Sequence, residues 1–136
     1  LSSRKAILIK KSENGRKAIY IDADNADEIK SFISANPTIQ EKFKLITRLI
    51  LEENRPPRDL YDKENFEKGC EHVTAMKPAK GKSNPRIYCQ QFAREDKQLY
   101  VIIMAELLQK KTSQGLSKKE KQIIRRVASY TYEFED

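Results

Sequence analysis

Apolar positions along this chain change their spacing several times, and each change marks an element. Residues 5–10 (KAILIK) and 17–22 (KAIYID) are short β-prone runs, and the Asn14-Gly15 pair between them favours a tight hairpin because both residue types tolerate positive φ. The spacing then turns helical. Asp24-Asn25 with Glu28 reads as a helix start, followed by Ile29, Phe32 and Ile33 on one face. Asn36-Pro37 ends that helix and opens another, with Thr38 and Glu41 set as a capping box. Ile39, Phe43, Ile46, Leu49 and Ile50 make a core-facing stripe that predicts a helix to about Glu53, closing a helical hairpin over residues 24–54.

Asn54-Arg55-Pro56-Pro57-Arg58 is a breaker, and residues 58–69 lack a period, which predicts a loop with one helical turn. Residues 71–77 read as a weak strand. Residues 86–92 and 98–108 read as the two strongest strands, joined through 93–97. The unbroken run Tyr100 to Met104 suits a central strand covered on both faces. Ser117 and Glu120 predict a capped last helix over 117–134, with Ile123, Ile124, Val127, Ala128 and Thr131 as its apolar stripe. The order β-β-α-α-β-β-β-α, with short turns between the later strands, predicts one α+β domain over residues 1–136: an N-terminal β-hairpin (1–22), the αα-hairpin, a mainly antiparallel sheet (70–108) and a C-terminal helix.

Charge adds a direction. Residues 76–126 hold 13 Lys and Arg against 4 acids, whereas the whole chain carries a net +7. A basic excess concentrated in one stretch suits a polyanion, nucleic acid above all. Two cysteines, Cys70 and Cys89, and the single His72 make neither a disulfide framework nor a zinc site, so a reduced cytoplasmic protein without metal is expected. No apolar run approaches a membrane span, and no signal-peptide layout is present at the N-terminus, which opens on Leu1.

One stretch carries a motif. The hydrophobic strand runs through Leu107-Leu108-Gln109 into Lys110-Lys111-Thr112. A small polar linker, Ser113-Gln114-Gly115-Leu116, leads to Ser117-Lys118-Lys119-Glu120-Lys121-Gln122-Ile123-Ile124-Arg125-Arg126-Val127-Ala128. Arg86-Ile87-Tyr88 precedes it as a strand opened by an arginine and an aromatic. Motif and element order resemble the RelE/HigB-like toxins of bacterial type II toxin–antitoxin modules, in the branch of HigB and its phage-derived relatives. Leu108 stands where that family usually has Phe, Leu116-Ser117 stands where a proline often opens the last helix, and the N-terminal hairpin and residues 55–69 lengthen the chain.

The resemblance implies a RelE-like fold and a ribosome-dependent mRNA endonuclease that cuts through the RNA 2′-hydroxyl without cofactor or metal. Such chemistry needs a base for the 2′-OH proton, a cation for the phosphorane charge and an acid for the leaving 5′-oxygen. On matching positions the expected catalytic set is Arg86 as transition-state stabiliser, Lys77 as base or phosphate ligand, and Lys110 and Lys111 on the turn. Lys80, Lys82, Arg125 and Tyr130 are the expected RNA contacts. Plainer readings stand beside these: a solvated Lys-Lys turn, Arg86 paired with Glu95 or Asp96 across its hairpin, a solvated basic face on the last helix, a structural His72, and Tyr130 in the core or at its rim. The implied partners are a cognate antitoxin, mRNA and the ribosome, with neither membrane nor small-molecule cofactor. A ParE-like inhibitor of DNA gyrase and a nonenzymatic basic RNA-binding module are the alternatives.

Overall fold

The computed structural model describes residues 3–81, 83–111 and 115–135. It is a mixed α+β fold in which three helices pack on a seven-stranded sheet. Strands β1 (Arg4–Lys11) and β2 (Lys17–Asp22) form the expected hairpin. Gly15 turns it at φ +72°, and the Asn14 carboxamide accepts hydrogen bonds from Ser12 Oγ and Arg16 N. Helices α1 (Ala26–Ser34) and α2 (Pro37–Glu52) follow and pack on each other. The cap of α2 is Asn36, whose side chain accepts from Thr38 N and Ile39 N, so Asn36 supplies the cap expected of Thr38 with Glu41. Asn25 makes no side-chain cap on α1; its Nδ2 donates to Ala105 O at 2.7 Å and ties the helix start to the sheet.

Next come β3 (Tyr61–Lys63), β4 (Val73–Met76), β5 (Arg86–Arg94), β6 (Leu99–Leu108), α3 (Lys118–Ser129) and β7 (Tyr132–Glu135). Two of these depart from expectation. Tyr61–Lys63 is an edge strand paired with β4, not loop. The last helix stops at Ser129, not at 134, and the chain turns extended at Tyr130 and pairs in parallel with β1. The physical reason is visible in the residues. Tyr130, Tyr132 and Phe134 alternate with polar neighbours, a period of two that a helix would scatter around its surface.

The sheet order is β3-β4-β5-β6-β2-β1-β7, antiparallel except for the β2–β6 and β1–β7 pairs. Helices α1 and α2 cover one face, burying Ile29, Ile46 and Ile50 against Ile19, Ile21, Ile87, Ile102 and Met104. Helix α3 covers the other, with Ile123, Ile124 and Val127 on Val73, Ala75, Tyr88 and Ala105. Val101 to Ala105 is therefore buried from both sides. Lys17 Nζ caps the end of α2 by donating to Ile50 O and Glu53 O.

Strand β7 finishes the α3 face. The Phe134 ring meets Tyr20 edge-on at 4.9 Å and lies under the Arg94 guanidinium at 4.1 Å. The Tyr132 hydroxyl donates to Asp22, which is fully buried and also takes Arg4 Nε at 2.6 Å. Phe134→Ala is expected to cost about 2 kcal/mol, below the full core value because the ring is half-buried. A urea titration of the variant against the parent chain reads this directly.

Candidate functional site

The sheet register sets the geometry. Arg86 opens β5 opposite Leu108, and Ile87 pairs with Met76. The end of β4, the start of β5 and the end of β6 therefore lie at one edge of the sheet. Lys77, Arg86 and the Lys110-Lys111 turn are brought to that edge from three segments far apart in sequence.

Arg86 is half-buried. Its Nη1 donates to Asn84 Oδ1 at 2.7 Å, to Asn84 O and to Pro85 O. The other guanidinium nitrogens have no hydrogen bond among the described residues, so much of the planar fork stays available for an oxyanion. It does not pair with Glu95 or Asp96, which sit at the far end of β5, where Arg94 holds Asp96. Asn84 holds Arg86 from a left-handed backbone conformation, φ 42°, that asparagine tolerates better than most residues. The Asn84-Pro85 dipeptide is a turn signal in the sequence; its second role as a clamp on Arg86 is not.

Lys77 is half-buried, its backbone held by Leu60 O and its Nζ by Arg58 O at 2.9 Å. Lys77, Lys80 and Arg86 line one shallow cavity of about 330 Å³ with Asp59, Ala79, Gly81 and Asn84. Lys80 is paired there with Asp59 at 3.1 Å. Lys82 lies outside the described residues.

Lys111 has another occupation. Its Nζ sits 2.7 Å from Glu120 and 2.9 Å from Gly115 O, and the two charged side chains are only 8% and 2% exposed. This buried pair joins the β6 turn to the first turn of α3, where Ser117 Oγ accepts from Glu120 N. Lys110 is exposed and faces a separate cleft of about 500 Å³ between β6 and α3, with Glu28, Glu106, Lys119 and Arg126. Arg125 makes a bidentate pair with Glu67 and lies over Phe66, outside the edge cluster. The Tyr130 hydroxyl donates to Glu106, and its ring supports the Arg4 guanidinium at 4.0 Å. It is half-buried in a structural network that includes Arg126. His72 Nε2 bonds Ala128 O at 3.1 Å, a structural contact.

The residue that sequence reasoning missed is Glu64. It follows β3, its backbone N–H bonded to Val73 O. Burial pushes its carboxyl above the ordinary range, outweighing the downward pull of Lys77, Arg86 and Lys111, while Glu120 adds to the rise. So a carboxyl that holds its proton unusually well stands in the field of the three cations. Tyr88 is beneath them. Its hydroxyl is buried, and burial, Glu120 and Glu64 all push its pKa up. Glu64 was hidden because residues 58–69 carry no period, and the short strand before it leaves only Leu60-Tyr61 as a signal.

A pH consequence follows. A raised carboxyl pKa favours the folded state below the ordinary glutamate value, and that stability is lost as pH rises through the folded-state value. Glu64→Gln is expected to raise the melting temperature at about pH 7.5 and to leave it unchanged at about pH 3, where both states hold the proton. Thermal melts at the two pH values check this.

Among the described residues no group of three His, Cys, Asp or Glu side chains is placed to hold a metal ion, and no helix is long and apolar enough to cross a membrane. Cys70 and Cys89 are buried and form no disulfide, and burial pushes both thiols up, away from nucleophilic use. Comparison with known protein families, curated proteins and solved structures returns no match.

Proposed function

We propose that this chain is an RNA endonuclease of the RelE/HigB-like kind, the toxin of a type II toxin–antitoxin module, acting in the cytoplasm on mRNA held by the ribosome. The observation that carries the reading is the cavity at the strand ends that Lys77, Lys80 and Arg86 line together, with Arg86 unpaired by acid among the described residues.

RNA brings its own nucleophile to such a site. The 2′-oxygen bonds to phosphorus, the bond from phosphorus to the 5′-oxygen breaks, and one proton leaves as another arrives. Arg86 holds the phosphorane oxygens in its fork. Glu64, half-buried with Lys77 and Arg86 among the cations acting on its carboxyl, is the group placed to take the 2′-OH proton. Lys77 protonates the departing 5′-oxygen. Lys111 supports the turn through Glu120 and stays out of the chemistry. The cognate antitoxin is expected to cover this edge.

A nonenzymatic RNA-binding module is the second reading. The commitment of Lys111 to Glu120 favours it, since that pair takes one cation out of the expected catalytic set. The deciding experiment follows a reporter mRNA in a purified translation system, with and without ribosomes. Cuts that need the ribosome support the nuclease. Intact RNA bound with a steep salt dependence supports the binding module. Intact RNA, unimpeded translation and inhibited DNA supercoiling by gyrase would overturn both in favour of a ParE-like toxin.

A further inference from the structure

Another cleft lies elsewhere, on the opposite face of the sheet. Helix α2 ends before it has covered β3, β4, β5 and β6, and the open part of that face forms a cleft of about 550 Å³. This volume falls within the range of small-ligand pockets. The loop that follows α2 walls it.

Its floor is built in two halves. One is apolar: Ile50 and Ile102 are buried, and the Tyr100 ring is 38% exposed, a large aromatic face left open to solvent. The other is polar and ordered. Thr74 Oγ1 donates to the Tyr61 hydroxyl at 2.8 Å, and that hydroxyl donates to Gln91 Oε1 at 2.8 Å. The relay uses the acceptor of the Gln91 carboxamide and leaves its Nε2 hydrogens without a partner among the described residues. Gln91 thus offers two fixed donors beside an open aromatic ring.

The rim is basic. Arg55, Arg58 and Lys63 are exposed, line the cleft and have no side-chain hydrogen bond or ion pair among the described residues. Asp62 is the one acid on the lining. Lys17 also lines it, and by capping Ile50 O and Glu53 O it offsets the negative end of α2 that would otherwise repel an anion.

We propose that this cleft binds a nucleotide, with the base stacked on Tyr100, its polar edge read by Gln91, and the phosphate held by Arg55 and Arg58. A ring for stacking, a carboxamide with free donors and uncommitted guanidinium groups are what a phosphorylated nucleoside requires. A bare anion would leave the apolar floor unused, and an apolar ligand would leave the rim unused. The site is independent of the nuclease reading and stands if that reading fails. The nucleotide has two sources: a free mononucleotide, or one unit of a single strand.

The test is a titration of the isotopically labelled chain with adenosine 5′-monophosphate, followed by amide NMR. Shifts are expected at Thr74, Gln91 and Tyr100. Adenosine alone and inorganic phosphate alone should each bind at least roughly tenfold more weakly, as should the Arg55→Gln/Arg58→Gln and Tyr100→Ala variants against the full nucleotide. Arg86→Ala should bind as the parent does. A 5′-phosphorylated trinucleotide separates the sources: tighter binding than the monomer assigns the cleft to a strand, and weaker binding assigns it to a free nucleotide. Absence of shifts at these residues, equal binding by the charge variants, or binding lost in Arg86→Ala would overturn the proposal. Because the substituted side chains are exposed, each variant's unchanged spectrum outside the cleft certifies its fold.

Discussion

Replacing Arg86 with alanine is expected to lower ribosome-dependent RNA cleavage by roughly 10²–10³-fold, the cost of removing one preorganised donor to a developing oxyanion. The fold should hardly notice. Arg86 is half-buried at the first position of β5, and its bonds are to the adjacent Asn84 and Pro85. No carboxylate among the described residues is ion-paired with it. The melting temperature should therefore stay within a few degrees of the parent, about 1 kcal/mol or less. Arg86→Lys separates charge from shape. It keeps the cation but loses the planar fork, so it should recover only part of the rate. Single-turnover cleavage with matched thermal melts measures both sides. A large rate loss accompanied by a large fall in melting temperature would instead make Arg86 a structural residue.

Lys111 is expected to behave in the opposite way. Lys111→Ala leaves Glu120, 1% exposed, as a charge buried without its ammonium partner. Breaking such a pair from one side costs roughly 3–5 kcal/mol. For a domain of this size that amounts to a fall of about 10 °C or more in melting temperature. Activity would drop with it, through loss of folded protein. The double variant Lys111→Met with Glu120→Leu removes both charges and keeps comparable volume, so it should recover most of the lost stability. If Lys111 is structural, the double variant cuts RNA at a rate near the parent's. A stable double variant without activity would return Lys111 to the chemistry.

The contrast between these two residues shows what the sequence could and could not say. Both stand in a basic stretch and both fit the same motif. Register alone places them at the sheet edge, and the strong strands around Ile87 and Ile102 make that register readable in advance. What separates them is Glu120. It reads as a helix-capping residue from its position after Ser117, and it does lie at the start of α3, with Ser117 Oγ accepting its N–H. Its buried carboxylate also claims Lys111 across nine residues, a contact that no local pattern announces.

The same holds at both ends of the missed structure. Helices α1 and α2 follow from their apolar stripes, because burial of one face is their main source of stability. Strand β3 has three residues at a sheet edge, too few to show a period, and Glu64 was lost with it. Strand β7 is legible, since Tyr132 and Phe134 alternate with Glu133 and Glu135, and the helix expected to reach 134 ends five residues earlier, at Ser129. Fully buried Asp22 explains why the alternation wins. It collects Arg4 and the Tyr132 hydroxyl, and a helix through that point would leave the carboxylate short of a donor.

The central claim is that the Lys77–Arg86 edge cuts RNA by turning its own 2′-hydroxyl on the adjacent phosphate. The most direct measurement replaces the nucleotide on the 5′ side of a mapped cut with its 2′-deoxy counterpart, in an otherwise unchanged mRNA on the ribosome. Cleavage at that bond should disappear while cuts at neighbouring ribonucleotides persist. Undiminished cleavage at the deoxy position would contradict the claim, because the nucleophile would then have to come from water or from the protein.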